Sequence, residues 1–245
     1  MRPDKRGPLR KRIVWIVGGI VVAAAVAVTA GTFVYLNFIK DDAPPPLSLE
    51  ATPETTTTAA GHGGDPATAS GPLAAGWKVV AGSQAGYRVK EVLFGQSAEA
   101  VGRTDQVDGT MTVAATTVTA VDISVDMASV TSDESRRDNQ FRGRIMDTAT
   151  YPTSTFVLTE PIEIGTIPAD STPVQVRATG DLTLHGVTRS VQTDLSARRN
   201  GANIEVSGSI PITFADYSIP NPSFGPAKTE DHGQLELLVV FAPAA

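Results

Sequence analysis

The chain alternates apolar and polar residues with a period of two over most of its length after residue 76. In the segment 121–127, Val-Asp-Ile-Ser-Val-Asp-Met, every odd position is apolar and every even position is polar. The segments 174–184 and 204–214 repeat this pattern over eleven residues each. A period of two is typical of a strand with one buried and one solvent-facing side. Together with shorter runs, the pattern predicts about eight strands and an all-β domain. The shorter runs lie at 87–94, 107–113, 155–159, 187–195 and 234–241.

Short turn sequences between these runs indicate that neighbouring strands are antiparallel. His185-Gly186 separates two runs, and Arg199-Asn200-Gly201 separates two more. An Asn-Gly pair supplies the positive φ that a tight hairpin requires. A meander of about eight long strands tends to curl and close, because closure removes the exposed edges. One helix is predicted over 132–145, with Ser132 or Asp133 as its N-cap, and it is expected to cover one end of the barrel.

The N-terminal region has the pattern of a membrane anchor. Residues 1–12 contain six Arg or Lys residues, and the 27 residues of 13–39 contain no charged side chain. This apolar length exceeds the roughly 20 residues that a helix needs to span a bilayer, and the basic flank predicts a cytoplasmic N-terminus. The alternative is a cleaved signal peptide, whose apolar region is usually about 7 to 15 residues long. The small residues of Ala27-Val28-Thr29-Ala30 keep that alternative open.

Composition divides the rest of the chain into a linker and one domain. Residues 40–75 are rich in Pro, Thr, Ala and Gly, and 41–75 contain no aromatic residue, which predicts a disordered, flexible linker. Residues 76–245 are long enough for a single domain with a sizeable core. In this domain 13 basic residues face 20 acidic ones, a difference of −7, which argues against a nucleic-acid partner. The chain has no cysteine, so it has neither disulfides nor thiolate metal sites.

Residues suited to catalysis are sparse, and the sequence predicts a protein that is not an enzyme. The domain has only two histidines, His185 and His232, both in turn sequences, with no HxH or HxxxH spacing. We therefore expect neither a metal site nor a cofactor. An enzymatic alternative uses His185, Asp181 and Arg189 as an acid-base set, although the alternation places Asp181 and His185 on the outer face of the sheet.

Several motifs together resemble the YceI-like family, over nearly the whole of 77–241. They are Trp77-Lys78-Val79 with Ser83 and Tyr87-Arg88-Val89, Arg137-Asp138 before Phe141, Tyr151-Pro152 followed by Phe156, and Gly180-Asp181-Leu182-Thr183-Leu184-His185-Gly186-Val187-Thr188-Arg189. The resemblance implies an exported bacterial protein with a lipocalin-like, eight-stranded antiparallel β-barrel. It also implies that a polyisoprenoid chain could occupy the barrel, as it does in some members. The anchor and linker resemble those of membrane-bound actinobacterial members.

The residues predicted to line an apolar ligand site lie mainly on the inward faces of the strands. Small residues such as Ala178, Gly180 and Gly208 suggest space inside the barrel, although glycine is equally suited to close strand packing. The predicted ligand-binding residues are Val121, Ile123, Val125, Met127, Phe141, Phe156, Leu158, Ala178, Gly180, Leu182, Leu184, Ile210, Ile212 and Phe214.

Three further residues are predicted to contact a ligand headgroup at the rim. They are Arg137 and Arg142, from the predicted helix, and His185. The alternatives are a solvated helix face with i,i+4 ion pairs for the arginines, and a residue that caps the turn or faces solvent for His185. The proline-rich segment 219–226 is expected to border the opening of the barrel.

Two hypotheses for function follow from this sequence. The first is a cell-envelope lipid-binding protein, anchored in the cytoplasmic membrane by a single helix, whose extracytoplasmic barrel holds an isoprenoid or another long-chain lipid. The second is a ligand-free interaction or structural module with a filled barrel that contacts an envelope protein through its loops. Binding in the first would be driven by apolar burial, at about 0.8 kcal/mol per CH₂ group.

Overall fold

The computed structural model describes residues 43–49 and 76–244, with the exception of residues 94, 166, 167, 169, 170, 224 and 226. No helix in this described part is long and apolar enough to cross a membrane. The predicted cytoplasmic tail 1–12 and the predicted transmembrane helix 13–39 lie outside the described residues, as does most of the predicted linker 40–75.

The described part of the domain forms one antiparallel sheet of thirteen strands. The strands are β1 Gly76–Val79, β2 Gln84–Leu93, β3 Gln96–Thr104, β4 Val107–Ala114, β5 Thr117–Asp126, β6 Thr131–Ser132, β7 Thr153–Leu158, β8 Ile162–Glu163, β9 Val174–Leu184, β10 Val187–Asn200, β11 Asn203–Thr213, β12 Ala227–Thr229 and β13 His232–Pro243.

These strands close into an eight-stranded barrel. The segment formed by β1 and β2 pairs with the segment formed by β3 and β4, from Gly76 opposite Thr112 to Leu93 opposite Gln96. The sheet then continues through β5, β7, β9, β10, β11 and β13. It closes because β13 pairs with both β1 and β2. The predicted all-β, eight-stranded antiparallel barrel is therefore confirmed.

The two predicted hairpin turns are present, one of them shifted by a residue. His185 and Gly186 have φ values of 50° and 74° and connect β9 to β10. In the second turn Asn200 still pairs with Asn203, so Gly201 and Ala202 form the turn, with Gly201 at φ 59°. Glycine accepts this left-handed conformation without the steric cost that a Cβ atom adds.

The predicted helix is present and covers one end of the barrel. Helix α1, Ser135–Gln140, continues into a π-helical turn at Phe141–Ile145. Its N-cap is Glu134, one or two residues later than predicted, and the Glu134 side chain accepts a hydrogen bond from the Arg136 amide. Ser132 instead donates its amide and hydroxyl to the buried carboxylate of Asp138, at 2.9 and 2.6 Å. Phe141 is buried among the core residues at this end.

The inward side chains form two apolar clusters, one at each end of the barrel. The cluster next to α1 contains Phe141, Leu184 and Phe214, together with Tyr217 and Ile219 from the segment after β11. The opposite cluster is built around residues such as Trp77, Met111, Val113, Ile204 and Phe241. Inward positions of β9 extend from the cluster next to α1, to which Leu182 and Leu184 belong, towards Val176. At about 3.3 Å per residue, Val176 and Leu184 lie roughly 26 Å apart along the strand, enough for an extended chain to lie between them.

The outer wall of the barrel contains a buried ion-pair network between β2, β3 and β13. Arg88 donates to Glu236 at 2.6 Å and to Glu99 at 2.6 Å, and Arg103 donates to the second oxygen of Glu236 at 3.2 Å. The Glu236 side chain is only 2% exposed. The carbonyl groups of Pro44 and Pro45 also accept hydrogen bonds from Arg88 and Arg103, respectively. The described part of the predicted linker, 43–49, therefore contacts the barrel wall.

Candidate functional site

A cavity of about 930 Å³ runs through the interior of the barrel. This volume lies at the upper end of the range of about 300–1,000 Å³ that is typical of small-molecule sites. Residues from both apolar clusters line the cavity, among them Val113, Ile204 and Phe241 at one end and Leu184 and Phe214 at the other. The described interior is thus hollow between its two clusters, with apolar walls that suit an apolar ligand.

Nearly all the predicted ligand-binding residues line the cavity wall. Because a strand directs successive side chains to opposite faces, the apolar positions of the central strands point to the interior. The predicted residues that line the cavity are Val121, Ile123, Val125, Met127, Phe141, Phe156, Leu158, Ala178, Leu182, Leu184, Ile210, Ile212 and Phe214.

Gly180 is the one predicted ligand-binding residue that does not line the cavity, because an aromatic ring occupies the space above it. A Cβ atom on Gly180 would lie 2.4 Å from Cζ of Phe156 and 2.6 Å from the Val157 carbonyl oxygen. Gly208 is covered in the same way, with Leu195 Cδ2 at 2.4 Å. These glycines allow close packing of a larger neighbour, which was the alternative interpretation. Among the small residues used in the prediction, Ala178 is the one that lines the cavity.

Charged lining residues lie together at the α1 end of the cavity, and we call them the mouth. The mouth consists of Glu91 on β2 and of Asp133, Glu134, Arg136 and Arg137 at the start of the helix. Glu91 follows Tyr87 and Val89 on the inward face of β2, and its carboxylate reaches Arg137 of α1 at 3.3 Å. Asp133, Glu134 and Arg136 are exposed, which shows that the cavity reaches solvent here.

Arg137 is the predicted headgroup residue that the structure does place at the cavity. Its guanidinium donates to Glu91 Oε1 at 3.3 Å and to the carboxylate of Asp133. Burial lowers the pKa of Arg137, but the charges of Asp133 and Glu91 outweigh this effect and the pKa is raised overall. The guanidinium therefore stays charged and is already paired with two carboxylates.

The other two predicted headgroup residues, Arg142 and His185, do not line the cavity. Arg142 is half-buried in the π-helical turn and donates to Asn139 Oδ1 at 3.1 Å, within its own helix. His185 is held in its turn, with Nδ1 3.2 Å from the Tyr217 carbonyl oxygen and its ring edge-on to Tyr151. Its role in the turn was the alternative interpretation.

Two residues that the sequence analysis did not select contribute to this end of the cavity. Tyr87 lines the wall and stacks on Phe141, with ring centroids 5.2 Å apart and an interplanar angle of 15°. Arg144 donates to the carbonyl oxygens of Asn221 and Pro222, at 3.2 and 3.0 Å. Because Pro222 lines the cavity, Arg144 connects the helix to the proline-rich segment that was expected to border the opening.

The three residues of the acid-base alternative, His185, Asp181 and Arg189, do not line the cavity. Arg189 donates to the Asp216 carbonyl oxygen at 2.5 Å, and Asp181 is paired through its backbone with Ser190.

His232 is exposed and contacts the carboxylates of Asp231 and Glu230, and the hydrogen bond to Asp231 raises the pKa of His232. Within the described ranges, no three His, Asp or Glu residues are grouped closely enough to hold a metal ion.

Tyr87 makes the free energy of unfolding depend on pH in the alkaline range. Burial raises the pKa of Tyr87 above its usual value near 10. Above about pH 10 the unfolded state therefore loses this proton more readily than the folded state, and stability falls as the pH rises. We expect Tyr87→Phe to reduce that fall between about pH 9.5 and 11. Urea unfolding at several pH values measures it, and equal slopes for both proteins would contradict the assignment.

Comparison with known proteins agrees with this fold. Residues 77–241 match the YceI-like domain family. A solved polyisoprenoid-binding domain from Saccharophagus degradans, implicated in plant cell wall breakdown, superposes with a TM-score of 0.57 at 18% identity, covering 70% of this chain and 99% of that one. BcnA from Burkholderia cenocepacia gives a TM-score of 0.48 at 22% identity, covering 63% and 95%. The YceI protein of Campylobacter jejuni gives 0.43 at 16%, covering 59% and 84%. No curated protein matches the sequence.

Proposed function

The chain belongs to the YceI-like domain family, and on this premise we propose that its barrel binds a long apolar lipid of the isoprenoid type. The observation that carries the proposal is the hollow interior, a cavity of about 930 Å³ with apolar walls along the inward faces of the strands. The polyisoprenoid binding of the Saccharophagus degradans domain supports the choice of ligand class. The protein acts by binding, and we propose no catalytic step.

Apolar burial supplies the main driving force for this binding. Each CH₂ group that moves from water to the cavity contributes about 0.8 kcal/mol, so a chain of many carbons binds even without a strong polar contact. The inner wall presents branched and aromatic side chains such as Leu182, Ile212 and Phe156. With the apolar chain inside the cavity, the polar end of the lipid lies at the mouth.

Mass spectrometry of the purified full chain tests the proposal. The protein is expressed in a bacterial host, purified in detergent, and extracted with organic solvent. We expect a long-chain isoprenoid lipid to be enriched at a fixed molar ratio over a control protein purified in the same detergent. If the extract contains only bulk phospholipid and detergent, and added isoprenoids do not bind, the ligand-free interaction module is favoured.

We further propose that the barrel lies on the outer side of the cytoplasmic membrane, anchored by residues 13–39. The uncharged run of 27 residues after a basic flank supports this topology. Protease added to intact, wall-stripped cells should remove the barrel and leave a small membrane-bound fragment. Protection of the barrel, or its release into the medium as a mature fragment, would contradict the anchor.

A further inference from the structure

We infer that the mouth selects a lipid whose polar end is uncharged, such as an alcohol or a quinone carbonyl, over the same chain ending in phosphate or diphosphate. This inference rests on the proposed function, because it concerns the polar end of a lipid whose apolar chain occupies the cavity. It is drawn from the ion pairs and the charge balance of the mouth.

The guanidinium best placed to bind a phosphate is already paired. Arg137 reaches the cavity and donates to Glu91 and Asp133. The side chain of Glu91 is only 12% exposed. A phosphate that took Arg137 for itself would leave the Glu91 carboxylate without its partner in a poorly solvated place, which is strongly unfavourable. A neutral oxygen can accept a further hydrogen bond from the same guanidinium without displacing either carboxylate.

The charge balance of the mouth also disfavours an anion. Among the described lining residues at this end, three carboxylates, from Glu91, Asp133 and Glu134, face two guanidiniums, from Arg136 and Arg137. The carboxylate of Glu236 does not enter this balance, because it is bound by Arg88 and Arg103 on the outer wall. Arg136 is exposed, so water screens its attraction for an anion. A phosphate monoester carries about −1.5 to −2 charges and would add to a mouth that is already negative.

Neutral hydrogen-bonding groups complete the lining next to these charges. Tyr87, Ser135, Gln140 and Thr229 all line the cavity. The phenol of Tyr87 is protonated at physiological pH and can donate to a carbonyl or hydroxyl oxygen. Such groups bind an uncharged polar end well, whereas they cannot neutralise the charge of a phosphate.

Equilibrium binding of farnesol and farnesyl phosphate to the full chain in detergent micelles tests the inference, because the two ligands share one apolar chain. We expect farnesol to bind at least about tenfold more tightly. Glu91→Gln and Asp133→Asn should each reduce this ratio, because each releases Arg137 from one carboxylate. Asp133 is 49% exposed, so its variant keeps the test valid if Glu91→Gln folds poorly.

The matched control is Glu99→Gln. It removes the same single charge, from a glutamate that also pairs with an arginine, but Glu99 pairs with Arg88 on the outer wall. This variant should leave the binding ratio unchanged. Equal or tighter binding of farnesyl phosphate by the unmodified chain would overturn the inference and leave the proposed function intact. If neither ligand binds, the proposed function fails and the inference fails with it.

Discussion

Ala178→Leu is expected to abolish most of the lipid binding while the barrel keeps its stability. Ala178 lines the cavity at the middle of β9 and is 1% exposed. A leucine at this lining position adds three carbons on the cavity side of β9, so we expect stability to change little or to rise by about 1 kcal/mol. The added side chain occupies volume that the lipid needs, and binding should weaken at least tenfold, roughly the scale of a one-methylene misfit in an apolar pocket.

Gly180→Ala is the matched comparison, two residues further along the same face of β9. Its single added carbon would meet Phe156 Cζ at 2.4 Å and the Val157 carbonyl oxygen at 2.6 Å. We expect overpacking to cost about 1–3 kcal/mol in the free energy of unfolding. Urea unfolding and isoprenoid binding are measured on both variants. A strongly destabilised Ala178→Leu variant would mean that the barrel is filled, and unchanged lipid binding would mean that the lipid lies elsewhere.

The difference between these two positions also shows what the sequence can and cannot predict. Period-two alternation indicates which residues face inward, and it correctly assigned Ala178 and its neighbours to the interior. It does not indicate whether a small inward residue adjoins empty space or a large neighbouring side chain. Gly180 lies beneath Phe156, Gly208 beneath Leu195 and Gly102 beneath Tyr87, and each of these contacts depends on strand register.

The same contacts explain why β3, the longest of the strands outside the predicted runs, was not predicted. Strand β3, Gln-Ser-Ala-Glu-Ala-Val-Gly-Arg-Thr, lacks a regular apolar period because small residues occupy its inward face. Gly102 there faces the Tyr87 ring, from which an added Cβ would be only 2.4 Å away. The mouth was likewise only partly predictable. Arg137 was selected from its helix, whereas its partner Glu91, 46 residues earlier, could be identified only once the barrel had closed.

Arg88→Ala is expected to cause a large loss of stability, because it removes one of the two arginines that bind a buried carboxylate. The Glu236 side chain is 2% exposed and accepts from Arg88 Nε at 2.6 Å. Taking away one partner of a buried ion pair typically costs about 3–5 kcal/mol, since the remaining charge is left without compensation. We expect a loss of about 3 kcal/mol, at the lower end of that range, because Arg103 still contacts Glu236.

A second substitution distinguishes two causes of the expected loss of stability, an uncompensated buried charge and a loss of packing. In the double variant Arg88→Ala with Glu236→Gln, the buried charge is absent, so the double variant should be more stable than Arg88→Ala alone. Arg177→Ala serves as the control, because Arg177 and its partner Asp194 are 63% and 66% exposed and their pair is screened by water. Urea unfolding of the full chain in detergent, followed by circular dichroism, compares the three variants. If the double variant is no more stable than Arg88→Ala, removing the charge of Glu236 recovers no free energy of unfolding. The arginine would then stabilise the fold through the packing of its apolar stem.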